Sequence, residues 1–325
     1  MKAIIISRKI QLKEIPDPHL VSTYDVMIKV KATGLCGSDV QRIHKILKRE
    51  INIHPVLGHE IAGEVIKVGE NVKHIKVGDR VAVEPIINCN NCHFCKSGNY
   101  QFCLNIKALG KNINGGFAEY IVVPAQNAHK LNPKITYTSG SLLDVISVCV
   151  HCMNLAGGFS NKKIAIVGDG SVGMTCMKLA LYHKAKSVFL VGKKTLRKRI
   201  LKHKGSFDLV IEAVGRRNSE TLNLAIELVR IKGKVIVLGV YPNGFLLHLN
   251  ARSLFFKEIN LVGSNSYACF KGKKEIKTAL KLLNGSKIDF GSIITHTLPL
   301  SKFKEGLKLF ENKNTSHAKK VIFIP

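Results

Sequence analysis

Two sets of soft donors lie between residues 34 and 103. Residues 34–39 read GLCGSD, residues 58–60 read GHE, and residues 89–103 read CNNCHFCKSGNYQFC. Cys36 and His59 offer a thiolate and an imidazole, the ligand types Zn²⁺ prefers. Cys89, Cys92, Cys95 and Cys103 follow at the spacing C-x2-C-x2-C-x7-C, a complete thiolate set on one short loop. A closed set of four is structural, whereas a set that leaves a position open supports chemistry. Ser38 stands two residues past Cys36. Its hydroxyl could pass a substrate proton outward. The plainer role of the Ser38-Asp39 pair is to start a helix over 40–48, with Asp39 as its cap.

A third candidate lies further on. Residues 162–173 read KKIAIVGDGSVG, an apolar strand running into G-x-G-x-x-G, with a helix expected over 174–183. In that context the motif is a dinucleotide fingerprint. Gly168, Gly170 and Gly173, with Ser171 and Val172 between the last two, allow a tight turn and bring backbone N–H groups close to a pyrophosphate. The second strand, 187–191, ends in Gly192, Lys193 and Lys194, with Arg197 beyond, where an acidic residue would bind the ribose of NAD. The basic cluster points to NADP, with NAD as the alternative. Val214 and Gly215 follow the strand expected over 207–213 and lie near the expected nicotinamide.

Strands are expected over 3–6, 11–15 and 26–32. Residues 25–30, DVMIKV, alternate with period two. Gly34 before Cys36 is read as a turn glycine, and Gly37 after it as a way to leave the metal face uncrowded. A boundary falls near 145–155. Later expectations are a helix over 222–230, strands over 233–239 and 257–264, a helix over 273–283, and a return through 293–299, 302–310 and 319–324. Between the second strand and residue 207 there is room for one helical crossover and no additional strand-helix unit. The doubly wound sheet is therefore expected to be shortened, with the second strand at its edge.

The chain has 325 residues, 46% of them hydrophobic, enough for two domains with cores of their own. No apolar run is expected to approach the ~20 residues of a membrane span, and the N-terminal MKAIIISRKIQLKEI is read as an edge strand rather than a signal peptide. The net charge of +28 raises a nucleic-acid partner. The lysines are scattered and no nucleic-acid motif is present, so the charge is read as composition, compatible with an anionic substrate or cofactor. Nine cysteines without an export signal argue for the reducing cytoplasm and for metal binding over disulfides.

With GLCGSD, GHE and the cysteine loop, the VGDRV turn at 77–81 and GGFAEYIVVP at 115–124 give the chain its resemblance to the medium-chain, zinc-dependent alcohol and polyol dehydrogenase family. The resemblance covers nearly the whole chain and looks closest to the sorbitol and galactitol-1-phosphate dehydrogenase branches. It implies an α/β protein in which a GroES-like, β-rich catalytic domain over 1–146 is completed by a return segment over 271–325. A Rossmann domain over 147–270 and a cleft between the domains are implied with it. It makes Cys36 and His59 ligands of a catalytic zinc and Ser38 the proton carrier. Glu60 becomes a carboxylate able to approach that zinc, and Cys89, Cys92, Cys95 and Cys103 the structural zinc site. Asp144 falls where polyol members carry a glutamate at the catalytic metal; one methylene shorter, it suits a bridging water. Gln41 stands where a relay histidine is common, with His44 nearby. The implied reaction is hydride transfer between a polyol or sugar-alcohol phosphate and NAD or NADP, in a homodimer or homotetramer with two zinc ions per chain. The alternatives are a homologue that kept the fold and lost turnover, motivated by the shortened sheet, Asp144 and Gln41, and a basic nucleic-acid-binding protein.

Overall fold

A computed structural model describes residues 1–51, 56–192, 195, 200 and 202–325. Lys193, Lys194 and Arg197 lie outside the described residues. The chain forms two compact units, Met1–Asp144 with Lys271–Pro325, and Val145–Phe270.

The first unit is built on a seven-stranded mixed sheet. Its order is His296–Pro299, Val321–Ile324, Asp25–Gly34, Glu60–Val68, Arg80–Val83 and Ala128–Lys130, with Tyr120–Pro124 also pairing on Asp25–Gly34. The period-two pattern explains the central strand: Val26, Ile28 and Val30 are buried while Lys29 is exposed. Lys2–Ile6 and Ile10–Glu14 form a separate antiparallel hairpin. The helix Gly37–Leu47 starts earlier than expected and turns Ile43 and Ile46 into an apolar cluster that includes Leu35, Phe117, Phe303 and Phe323. The rings of Phe303 and Phe323 lie 4.8 Å apart, and Phe117 meets Phe303 edge-on at 4.9 Å. These rings join the return segment to Phe117, and the Leu35 N–H donates to the Val321 carbonyl at 2.9 Å; such aromatic pairs contribute ~0.5–1.5 kcal/mol each beyond their area.

The second unit is a five-stranded, wholly parallel sheet in the order Ser187–Val191, Lys163–Val167, Phe207–Glu212, Val229–Val237 and Asn260–Gly263. Among the described residues Ser187–Val191 is the edge strand, as the short interval before residue 207 requires. The helices Ser171–Tyr182, Glu220–Leu228 and Ala251–Lys257 are its described crossover helices. The helix expected over 222–230 stops at Leu228, because Val229 already pairs with Phe207 in the sheet.

One expectation needs correction. The segment Tyr137–Leu155 is long and apolar enough to cross a membrane by length and composition. Of its most apolar window 61% is buried inside the protein, and a core helix passes the same test. All nine cysteines are free thiols.

Candidate metal and cofactor sites

The central strand carries the chain to Leu35, and the backbone turns at Cys36 into the helix Gly37–Leu47. His59 immediately precedes the neighbouring strand, Glu60–Val68, whose first residue pairs with Gly34. That register brings the ligand atoms of Cys36, His59 and Glu60 within 4.8 Å of one another. Ser38 Oγ donates to Cys36 Sγ at 3.3 Å, so the hydroxyl sits at the donor set. A Cβ on Gly37 would meet nothing within 4 Å, so no neighbouring atom requires glycine at that position.

Gly34 has a different reason from the one expected. It lies in an ordinary strand, and a Cβ there would come 2.0 Å from Glu60 Oε2. Glycine is required because a carboxylate fills the space. Glu60 Oε2 is ion-paired with Lys320 Nζ, and both side chains are only 1% exposed. Lys320 also donates to the Leu35 carbonyl at 3.2 Å. Among the described residues, Glu60 Oε1 is buried without a hydrogen-bond partner. An orphaned carboxylate oxygen costs roughly 1–3 kcal/mol, and a cation beside it would relieve that cost.

Asp39 also differs from the expected helix cap. It is not the cap itself but the third helical residue, where its Oδ2 accepts from the Cys36 N–H at 3.0 Å. Its Oδ1 lies 3.1 Å from His59 Nδ1. With the proton on Nδ1 the ring donates to Asp39 and leaves Nε2 for a metal. Burial disfavours the imidazolium, yet the charges of Asp39 and Cys36 outweigh it and hold metal-free His59 well above its usual range. A metal entering here displaces a proton.

Asp144 is not brought into this group. It sits in the first turn of the helix Leu143–Leu155. Gln41 is on the helix Gly37–Leu47, and His44, on the same helix, pairs through Nε2 with Glu311 at 2.5 Å.

The four remaining ligand candidates form a second group on their own loop, all ligand atoms within 4.8 Å. Cys92 Sγ and Cys89 Sγ lie 3.5 and 3.9 Å from Cys95 Sγ. A tetrahedral ion with ~2.3 Å zinc–sulfur bonds sets its sulfurs about 3.8 Å apart, close to both of these separations, so the donor set fits zinc. Backbone N–H groups prepare the thiolates. Those of Leu104 and Cys95 pull Cys92 down to about 6. Burial pushes Cys103 up to about 11.

In the second unit Gly168 (φ +118°) ends the first strand and Gly170 caps the helix Ser171–Tyr182. A Cβ on Gly173 would stand 1.9 Å from the Gly168 carbonyl, so the helix start packs directly on the turn. Ser171 and Val172 form the first turn, a cradle of backbone N–H groups that fits a pyrophosphate. Val214 lies against Gly168, within 2.9 Å of where its Cβ would be. The turn that carries Val214 and Gly215 is held by Glu212, whose Oε1 accepts from both backbone N–H groups at 3.0 and 2.9 Å. Gly192 ends the edge strand beside the fingerprint. Sequence reading missed Lys320, Glu212 and the contact of Asp39 with His59. The signal for the first two was a charged residue adjoining an apolar strand run.

Comparison with known proteins agrees. The alcohol dehydrogenase GroES-like domain family matches residues 22–133, and the zinc-binding dehydrogenase family matches residues 172–285. The L-threonine 3-dehydrogenase of Caldanaerobacter subterraneus subsp. tengcongensis is 30% identical, over 91% of this chain and 90% of its own. The crystal structure of galactitol-1-phosphate dehydrogenase from Escherichia coli superposes with a TM-score of 0.87, 26% identity and full coverage of both chains. A zinc-binding dehydrogenase from Sinorhizobium meliloti 1021 bound to NADP gives a TM-score of 0.85 at 26% identity, covering 100% of this chain and 99% of that one.

Proposed function

The chain belongs to the zinc-dependent medium-chain dehydrogenases, alcohol and polyol dehydrogenases that use a nicotinamide cofactor, and on that premise we propose how its own residues divide the work. Cys36 and His59 hold the catalytic zinc, with the free oxygen of Glu60 in reach. Cys89, Cys92, Cys95 and Cys103 hold a second, structural zinc. The fingerprint from Gly168 to Gly173 seats the dinucleotide, and Val214 and Gly215 meet its nicotinamide end. When bound, the two groups supply a Lewis acid for the substrate oxygen and a hydride acceptor for the carbinol carbon. Asp39 fixes the tautomer and tilt of His59. Ser38 takes the substrate hydroxyl proton toward solvent. Asp144 acts through water rather than as a ligand. Residues 1–146 with 271–325 form the catalytic domain and 147–270 the dinucleotide domain.

The observation that carries this reading is the convergence of Cys36, His59 and Glu60 within 4.8 Å, with Ser38 hydrogen-bonded to the thiol. The substrate is a secondary alcohol of the polyol or polyol-phosphate class. Relatives named for galactitol 1-phosphate and L-idonate support that class, and the +28 charge favours an anionic member. A homodimer or homotetramer is supported by the outer strand Asn260–Gly263 and by Phe255 and Phe256, 76% and 61% exposed beside it. Nine free thiols support a cytoplasmic setting.

The test is to load the purified protein with zinc, count the metal, titrate it with NADH and NADPH, and assay polyols, their phosphates and L-threonine. Two zinc ions per chain, saturable dinucleotide binding and turnover of one of these alcohols are expected. Two zinc ions with no dinucleotide binding would put the turnover-deficient homologue in its place.

A further inference from the structure

In a doubly wound parallel sheet the dinucleotide lies across the carboxyl ends of the strands, at the point where the strand order reverses. In this chain that point falls between Lys163–Val167, which leads into the fingerprint, and Phe207–Glu212. The edge strand Ser187–Val191 is on the adenosine side, so the ends of Phe207–Glu212 and Val229–Val237 face the nicotinamide half. Two turns leave those ends, over 213–216 and 238–240. One buried residue holds both.

Glu212 is the last residue of its strand and is 0% exposed. Its backbone carbonyl accepts from the Leu238 and Gly239 N–H groups at 2.8 and 2.9 Å, which fixes the second turn. Its side-chain Oε1 accepts from the Val214 and Gly215 N–H groups at 3.0 and 2.9 Å, which fixes the first. The turns also interlock. The Arg216 N–H donates to the Val240 carbonyl at 2.8 Å. A Cβ on Gly215 (φ +61°) would stand 2.4 Å from both the nitrogen and the oxygen of Val240. One on Gly239 would stand 2.2 Å from the Gly215 nitrogen and 2.6 Å from Glu212 Oε2. Both glycines are therefore the room that the opposite turn and the carboxylate occupy. Just past the second turn the Tyr241 phenol stands beside Glu212 and Thr221. Burial and then the Glu212 charge hold that phenol well above the usual tyrosine range, with Thr221 opposing, so it stays a donor.

A ligand seated on backbone turns binds well only where those turns are already in place, because ordering them on binding costs affinity. Resting on the nicotinamide assignment above, we infer that Glu212 is a positioning residue for the dinucleotide. It joins the two turns into one preformed surface for the nicotinamide half, and it does so by the reach of its acceptor oxygen rather than by its charge.

The experiment is calorimetric titration of the zinc-loaded, full-length protein. The ligands are NADH or NADPH, whichever the wild type binds more tightly, and the matching fragment without nicotinamide, ADP-ribose or its 2′-phosphate. Glu212→Gln keeps the acceptor and its reach and loses the charge. Glu212→Asp keeps the charge and is one methylene short. Circular dichroism and zinc content confirm that each is folded. The wild type binds the dinucleotide more tightly than the fragment. E212D weakens the dinucleotide by about 10- to 100-fold, as for two hydrogen bonds to a charged acceptor, and changes the fragment by less than about 3-fold. E212Q stays within about 3-fold of the wild type for both ligands. An E212D that weakens both ligands alike, or neither, overturns the inference, as does an E212Q as impaired as E212D. Amide hydrogen exchange on the wild type needs no variant: the dinucleotide slows exchange over 213–216 and 238–241 and the fragment does not. Equal protection by both, or none by either, overturns the inference. A wild type that binds the fragment as tightly as the dinucleotide overturns the inference alone and leaves the fingerprint site standing. A wild type that binds neither overturns the nicotinamide assignment and the inference with it.

Discussion

The two donor sets of the first unit are built in opposite ways. The four-cysteine set is local: every ligand comes from residues 89–103, and nearby N–H groups hold the sulfurs, Cys92 to Cys89 and Cys89 to Cys103, each at 3.3 Å. The Cys36, His59 and Glu60 set is assembled from distant chain. It depends on Glu60 pairing with Gly34, on Ile322 pairing with the same Gly34, and on Lys320 reaching back to Glu60. A local set can close around an ion completely and so serves the fold. An assembled set is held by the sheet beneath it, so it can keep an open position without losing its shape. Damage to the first should be read in stability and damage to the second in chemistry.

The largest expected effect breaks the assembled set. Cys36→Ser should cost about 10³-fold or more in turnover, the several kcal/mol a Lewis acid supplies. One zinc per chain should be lost while the unfolding midpoint barely moves. Full activity with one zinc would end the catalytic assignment. Next comes the local set. Cys92→Ser should lose the other zinc and more than about 4 kcal/mol of stability, a fall of roughly 10 °C in melting temperature. Proteolysis should then cut within 89–103; a calorimetric scan like that of the wild type would contradict a structural role for this loop.

A finer test leaves all ligands in place. Asp39→Asn should weaken zinc at the assembled set by about 10- to 100-fold, the usual effect of losing the carboxylate behind a metal-bound histidine. Chelator competition should show one weakened zinc and one unchanged. If both weakened alike, the sets would not be independent.

The smallest effect is a control away from both metals. His129 Nε2 lies 3.1 Å from Glu84, and Lys277 Nζ lies 3.0 Å from its Nδ1, so the ring is neutral with its proton toward Glu84. Burial, opposed by Glu84 and assisted by Lys277 and Lys274, lowers its pKa below 6.5. The unfolded chain therefore takes up the proton first as pH falls. The stabilisation is complete above 6.5 and is lost as pH falls from there toward the folded-state value, at most ~1.4 kcal/mol per pH unit. Urea titrations at about pH 7.5 and 5.5 should show this slope in the wild type and a flatter one in H129Q, with zinc content held constant.

Legibility followed the same division. The cysteine loop could be read because four ligands at short spacing need no partner element. The fingerprint could be read because strand, turn and helix adjoin in sequence. Asp39 was read as a helix cap, and it does bond the Cys36 N–H; its second oxygen on His59 comes from the strand register. Lys320 looked like one more lysine in a lysine-rich chain until the return strand buried it against Glu60. Gly34 was read as a turn glycine and proved to be the room a carboxylate needs.

By itself the sequence determined the donor types, the local cysteine loop, the dinucleotide turn and the shortened sheet, since each rests on residue chemistry and short-range spacing. Tertiary structure alone decided which oxygen faces which ring, why Gly34 lacks a side chain, and which lysine the return strand buries against Glu60. Those outcomes depend on which distant side chain fills a neighbour's space, and that is set by strand register and burial.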